Sequence, residues 1–167
     1  MEDIRIVPTD EQYVASLHLA LDTIARERRY LILLEAPPVD AVRGFIRALV
    51  GGAGVQVLAI DAAETVVGWC DIIKSQPEGF RHTGRLGMGV LQRFRGKGIG
   101  RELAAAAIER AWSLGLTRIE LEVFASNEPA VSLYRSLGFA VEGVKRRARV
   151  LDGVSDDIVV MALLEST

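Results

Sequence analysis

The spacing of apolar residues changes several times along the chain, and each change marks an element. Residues 4–7 alternate as a short strand that Pro8 stops. Thr9 or Asp10 offers a side-chain oxygen to cap a helix, after which Val14, Leu17, Leu21 and Ile24 recur at steps of three and four. That spacing predicts a helix with one buried stripe. Residues 30–34 are apolar, and Ala36-Pro37-Pro38 forbids helical continuation, so the stretch reads as a loop between two helices. The next helix runs from 39 to about 50 with Phe45, Ile46 and Leu49 inward, and Gly51-Gly52 ends it.

Two strands, 55–60 and 65–73, pair across a short turn. A third, 83–91, contains Gly84, Gly87 and Gly89; glycines inside a strand mark a bulge or a close backbone approach. Residues 99–114 form an alanine-rich helix with Leu103, Ala107, Ala111 and Leu114 on one face and Ile108 and Trp112 beside it. Residues 119–124 alternate, placing Ile119, Leu121 and Val123 on one side of a strand and Glu120, Glu122 and Phe124 on the other. Pro129 suits the first turn of a helix that ends at Leu137-Gly138. Strands at 140–150 and 154–164 meet at Asp152-Gly153, a good hairpin turn. The order β-α-α-β-β-β-α-β-α-β-β predicts one α/β domain over 1–167, a mixed sheet with helices on both faces.

Composition narrows the function. Half of the 167 residues are hydrophobic, enough for a sizeable core, and the net charge of −2 predicts no general affinity for nucleic acid. Any anion site must be local. The single cysteine, Cys70, excludes an intrachain disulfide and suits a reducing cytoplasm. No apolar run approaches the ~18 residues of a membrane helix, and the acidic start does not resemble a secretory leader. Two histidines and one cysteine give no metal-ligand spacing, so no metal is expected.

The stretch Arg95-Gly96-Lys97-Gly98-Ile99-Gly100-Arg101 leaves a strand and opens a helix. The first amides of a helix lack internal partners, and glycines let a phosphate approach them. With three basic residues added, a pyrophosphate site is the sharp reading; a glycine-rich helix start with solvated cations is the plain one. A nucleotide P-loop needs Ser or Thr after its lysine, and Gly98 stands there. The glycine spacing also misses the dinucleotide fingerprint.

Arg95-x-x-Gly98-x-Gly100 resembles the pyrophosphate loop of the GNAT N-acetyltransferases, Gln/Arg-x-x-Gly-x-Gly/Ala. The run from Leu121-Glu122-Val123 through Asn127-Glu128-Pro129-Ala130 to Leu133-Tyr134 and Gly138-Phe139 is similar to that family's later strand and Asn-x-x-Ala helix. The resemblance implies a mostly antiparallel GNAT-like sheet in which the fourth strand bulges and splays from the fifth, and acetyl-CoA as acetyl donor. It implies that Met88, Val90 and Leu91 border the thioester and pantetheine. Arg95, Gly96, Lys97, Gly98, Ile99, Gly100 and Arg101 would hold the pyrophosphate, Asn127 the pantetheine, and Tyr134 would stand beside the sulfur.

Acyl transfer needs a neutral amine, and a lysine-like amine with pKa ~10.4 is neutral in roughly one molecule in a few thousand at pH 7. A base or water relay therefore helps. Glu122 is the first candidate and Glu120 the second; the plain reading, that both are ordinary outward carboxylates on a sheet face, weighs more heavily for Glu120. The backbone amide near Val90 is the candidate oxyanion donor, and Tyr134 the acid for the leaving thiolate. The acceptor groove is expected between the helix-to-helix loop and the last hairpin, with Tyr30, Glu35 and Trp69 lining it. Such a groove suits a small amine with a hydrophobic side chain. Resemblance to the bacterial branch acting on amino acids puts small-molecule acetylation by direct transfer first. Acetylation of protein N-termini is the second reading, and a non-catalytic acetyl-CoA sensor the third. A homodimer is a family-level expectation. The basic run from Lys145 to Arg149 reads as a solvated strand face or a contact for the adenosine 3′-phosphate or an acidic substrate, and His18, His82 and Cys70 as ordinary packing or surface residues.

Overall fold

A computed structural model of the chain describes residues 3–167. Its elements are β1 (Arg5–Pro8), α1 (Val14–Ala25), α2 (Val39–Ala48), β2 (Gly54–Ile60), β3 (Val66–Lys74), β4 (Thr83–Val90) and α3 (Ile99–Ser113), then β5 (Arg118–Phe124), α4 (Glu128–Ser136), β6 (Ala140–Leu151) and β7 (Val154–Leu164). The seven strands form one sheet in the order β1-β2-β3-β4-β5-β7-β6. Every neighbouring pair is antiparallel except β4 with β5. The predicted order of elements and the helices on both faces are those found. No helix among the described residues is long and apolar enough to cross a membrane.

Strand alternation divides the interior into two cores. On one face Leu103, Ala107 and Ala111 of α3 meet Val57, Cys70, Ile72, Ile119 and Leu121, with Tyr134 and Phe139 completing the cluster. On the other, Val14, Leu17 and Ile24 of α1 and Val42 and Ile46 of α2 cover Leu58, Ile60 and Trp69. Each fully buried aliphatic side chain contributes roughly 1.5–3 kcal/mol, so these two layers fix where the strand ends stand.

Some local expectations are corrected. Phe45 is only half-buried, because the inward stripe of α2 runs through Val42, Ile46 and Leu49 at steps of four and three and leaves Phe45 at its edge. Leu114 lies past the last turn of α3 and is exposed. The bulge expected at Gly87 and Gly89 is absent from the β3–β4 ladder, which runs in unbroken register from Gly84 to Val90. Gly89 is small for another reason: a Cβ there would stand 2.6 Å from the Trp69 ring, so the indole lies flat across the strand. The register breaks lie elsewhere, one in β2–β3 and two in β6–β7.

The parallel pairing of β4 with β5 is short. It joins Thr83 to Arg118, Gly84 to Ile119 and Arg85 to Glu120, and then the strands part. This opening places the site.

Candidate active site

The wedge between the strands widens into a cleft of about 700 Å³. Backbone groups supply one wall. Leu91 donates its amide to Val67 at 2.8 Å, and Val90 is the register partner of Gly68. Bonding alternates along an antiparallel ladder, so the N–H and C=O of Val90, and of Met88 two residues earlier, point away from β3 into the wedge. Unpaired main-chain donors therefore face the cavity where β5 has left the ladder.

At one end of the wedge lies the start of α3. Gly96 and Gly98 have φ of +72° and +86°, left-handed backbone that a side chain would strain. No side chain caps the helix, and its ladder begins only with the bond from Glu102 N–H to Gly98 C=O. The amides of Gly98, Ile99, Gly100 and Arg101 precede that ladder. Gly96, Gly98, Gly100 and Arg101 line the cleft. The same stretch of backbone is suited to an anion.

The other named residues sort differently. Ile99 is buried in the core beneath α3, Leu91 packs against both cores, and Lys97 lies 5.6 Å from the Phe94 ring centroid. Arg95 lines the cleft, but its guanidinium is turned to the end of α1. It donates to both oxygens of Glu27 at 2.7 and 2.9 Å, donates from Nε to the Val90 carbonyl at 2.8 Å, and covers the Tyr30 ring at 4.7 Å. Three of its five N–H donors are thus committed to Glu27 and Val90. Arg101 instead donates to Ser136 from the cleft rim. Asn127 caps α4 through Oδ1, which accepts from Ala130 N–H at 3.4 Å and leaves the side-chain NH2 for the cleft.

Tyr134 reaches the wedge from α4, its ring edge-on to Phe139 at 5.7 Å. Burial, and then the neighbouring Cys70 thiol, push its phenol well above the ordinary tyrosine value, so it holds its proton at neutral pH. Cys70 itself is buried in the core, and burial raises its thiol too. Glu122 is the one carboxylate among the described residues lining the cleft. Its oxygens meet Lys145 and, at 3.3 Å, Arg85. Glu120 faces the closed end of the wedge, where Arg118 bonds it at 2.9 Å and also bonds Glu142.

The geometry so far is an opened sheet with free amides, an uncapped glycine-rich helix start and a protonated tyrosine between them. Residues 20–139 match the model of the acetyltransferase (GNAT) family. This chain is a GNAT protein. It is 32% identical over 111 residues to the L-amino acid N-acetyltransferase AaaT of Escherichia coli, an alignment covering 65% of this chain and 68% of that one. An uncharacterized N-acetyltransferase of Bacillus subtilis, YdgE, is 35% identical over 88 residues; the alignment covers 50% of this chain and 54% of the relative. A GNAT acetyltransferase of Streptococcus pneumoniae superposes with a TM-score of 0.91 at 25% identity, covering 97% of this chain and 99% of that one. The phosphinothricin acetyltransferase of Sinorhizobium meliloti, solved in complex with acetyl-CoA, superposes at 0.90 with 18% identity over 97% of this chain and 89% of its own.

Tyr30, Leu31, Ile32, Leu33 and Trp69 also line the cleft. Glu35 lies outside the lining, exposed and 3.5 Å from Arg26. His18 Nε2 sits 2.9 Å from the Pro37 carbonyl and helps hold the loop between α1 and α2. Two of the basic residues of β6 turn back to the sheet: Lys145 to Glu122, and Arg149 over the Phe124 ring at 3.6 Å.

A buried carboxyl lies behind the β4 wall. Asp71 is the register partner of Gly87, and its Oδ1 comes within 3.4 Å of where a Cβ on that glycine would stand. Gln56 donates to Oδ2 at 3.4 Å. Burial pushes Asp71 up to about 7, against the smaller opposing effect of the Gln56 bond. Neither residue, nor Glu27, was marked by any sequence motif.

Proposed function

We propose that this protein transfers the acetyl group of acetyl-CoA directly to the primary amine of a small molecule, an amino acid with an apolar side chain. One observation carries the reading. The wedge is continuous from the uncapped start of α3, past Tyr134, to the apolar residues 31–33 and Trp69. A pyrophosphate fits one end, an apolar side chain the other, and a thioester between. Arg85, with an exposed guanidinium on the same lining, complements the acceptor's carboxylate. The AaaT relative, an L-amino acid N-acetyltransferase, supports that class.

In the step itself the amine nitrogen attacks the thioester carbon while the Val90 amide donates to the developing oxyanion. Glu122 accepts the amine's proton through water, giving up one of its two cations as it does so. As the C–S bond breaks, Tyr134 gives its proton to the leaving thiolate; a buried phenol suits that role because it stays protonated until the sulfur demands the proton. Glu122 then releases its proton to solvent and the tyrosinate takes one up, which restores both groups.

The test is incubation of the protein with acetyl-CoA and an amino-acid library, reading each member for the mass of one added acetyl group. Acetylation confined to apolar amino acids supports the proposal. A [ribosomal protein bS18]-alanine N-acetyltransferase of Salmonella typhimurium is 36% identical over 70 residues, so a peptide with an N-terminal alanine is included. Acetylation of that peptide alone overturns the small-molecule reading, and tight acetyl-CoA binding with no acetylated product favours a sensor.

A further inference from the structure

Arg95 carries the loop position where a pyrophosphate contact is expected, yet its guanidinium looks the other way. Four interactions converge on it. Both terminal nitrogens donate to the Glu27 carboxylate at 2.7 and 2.9 Å, and Nε donates to the Val90 carbonyl at 2.8 Å. The planar group also covers the Tyr30 ring at 4.7 Å, and Arg29 covers the same ring at 5.0 Å. Both ionic partners are mostly shielded, with side-chain exposures of 29% for Arg95 and 20% for Glu27. A paired two-bond contact of this kind fixes direction as well as distance.

The three things it joins are far apart in sequence. Val90 ends β4 and turns its N–H and C=O into the wedge. Glu27 and Tyr30 belong to the segment after α1 that leads into the apolar residues 31–33. Arg95 itself begins the glycine-rich turn. We infer that Arg95 and Glu27 form a strut that holds the acceptor loop and the Val90 main chain in register with the cofactor turn. Arg95 is thus a positioning residue rather than a pyrophosphate ligand. This rests on the acetyl-transfer reading, since it assigns the acceptor to residues 30–33.

The strut explains why the arginine is spent inward. An acceptor loop with residues as exposed as Ile32, at 74%, has little core of its own to pin it. Its anchors include the Arg95 clamp, His18 on the Pro37 carbonyl, Asp22 accepting from Ala36 N–H at 3.0 Å, and Arg28, which donates to both oxygens of Asp152 in the β6–β7 turn at 2.8 and 3.0 Å. The Arg95 clamp ties it to the reacting end of β4. If the clamp opens, the loop and the Val90 amide lose their common reference, and misplacement of reacting groups costs rate steeply.

The experiment compares Arg95→Ala, Glu27→Ala, the double variant and the milder Glu27→Gln. Calorimetry gives acetyl-CoA affinity, steady-state kinetics give turnover and acceptor KM, and hydrogen exchange reports on residues 26–36. The strut predicts that either alanine variant keeps acetyl-CoA affinity within about threefold. Each should lower kcat/KM for the acceptor by about tenfold or more, and the double variant should be no worse than the worse single. Residues 26–36 should exchange faster in both, and Glu27→Gln should fall between wild type and Glu27→Ala. Loss of acetyl-CoA affinity in Arg95→Ala with Glu27→Ala unaffected would make the arginine a cofactor ligand and overturn the strut. So would additive losses, or unchanged exchange in the loop. If wild type acetylates nothing, the transfer reading fails, while exchange and calorimetry still decide whether the strut exists.

Discussion

Replacing Asp71 by Asn tests the buried carboxyl behind the β4 wall. The side chains are nearly isosteric, so packing against Gln56 and Gly87 changes little, while the ability to ionise is lost. In the folded chain burial raises Asp71 from the ordinary 3.8 to about 7. The folded state therefore holds that proton to higher pH than the unfolded state does. The cost of ionising it is absent below the unfolded value, grows as pH rises, and is complete above the folded value. Over that interval it amounts to at most about 4 kcal/mol, a large share of the 5–15 kcal/mol typical of a domain. Guanidinium unfolding of wild type and Asp71→Asn, at about pH 5 and about pH 8.5, measures it. The variant's stability relative to wild type should rise by up to about 2.5 kcal/mol between the two conditions. Any constant effect of the amide on packing cancels in that difference. A relative stability that is flat across pH, or that falls as pH rises, refutes the assignment of a desolvated, proton-holding carboxyl.

Two further substitutions probe the cleft. Tyr134→Phe keeps the ring that packs on Phe139 and should lower kcat by about a hundredfold or more with acetyl-CoA affinity nearly unchanged; equal losses in both, measured by kinetics and calorimetry, would make the residue packing only. Gly89→Ala places a methyl 2.6 Å from the Trp69 indole, so it should lower the melting temperature through overpacking of about 1–3 kcal/mol and raise acceptor KM by pushing the indole into the groove. An unchanged acceptor KM would detach Trp69 from the substrate.

The sequence made the fold legible because its signals are local. Period-two and period-three-to-four spacing, glycine stops and one hairpin turn place every strand and helix; the errors lie at an element's end, as at Leu114, and in local detail, where Phe45 is half-buried and no bulge interrupts β4 at Gly87 and Gly89. The glycine turn, Asn127 and Tyr134 were readable for the same reason, since each belongs to a short contiguous motif. What the chain did not disclose are contacts made across distance. Arg95 pairs with Glu27, 68 positions away, and no period marks a residue just past a helix end as its partner. Glu122 looked like a carboxylate free to act as base, but Lys145 and Arg85 arrive from other strands. Asp71 sits in an apolar strand where its burial, and hence its proton, depends on covering elements. Glu120 follows from its alternation with Glu122 and Glu35 from its place in the helix-to-helix loop, yet both stand outside the cleft lining: Arg118 holds Glu120 at the closed end of the wedge, and Glu35 turns to Arg26.

The parting of β4 from β5 has a thermodynamic side as well. A sheet that leaves the inward amides of Met88 and Val90 without a neighbouring strand is, in effect, one rung short, and a ligand that supplies acceptors there fills the missing rung. Occupancy then adds to folding stability in proportion to RT ln(1 + [L]/Kd). The persistence of the folded chain in a cell would track the supply of the molecule that fills the gap, so that scarcity of that molecule lowers the amount of folded protein.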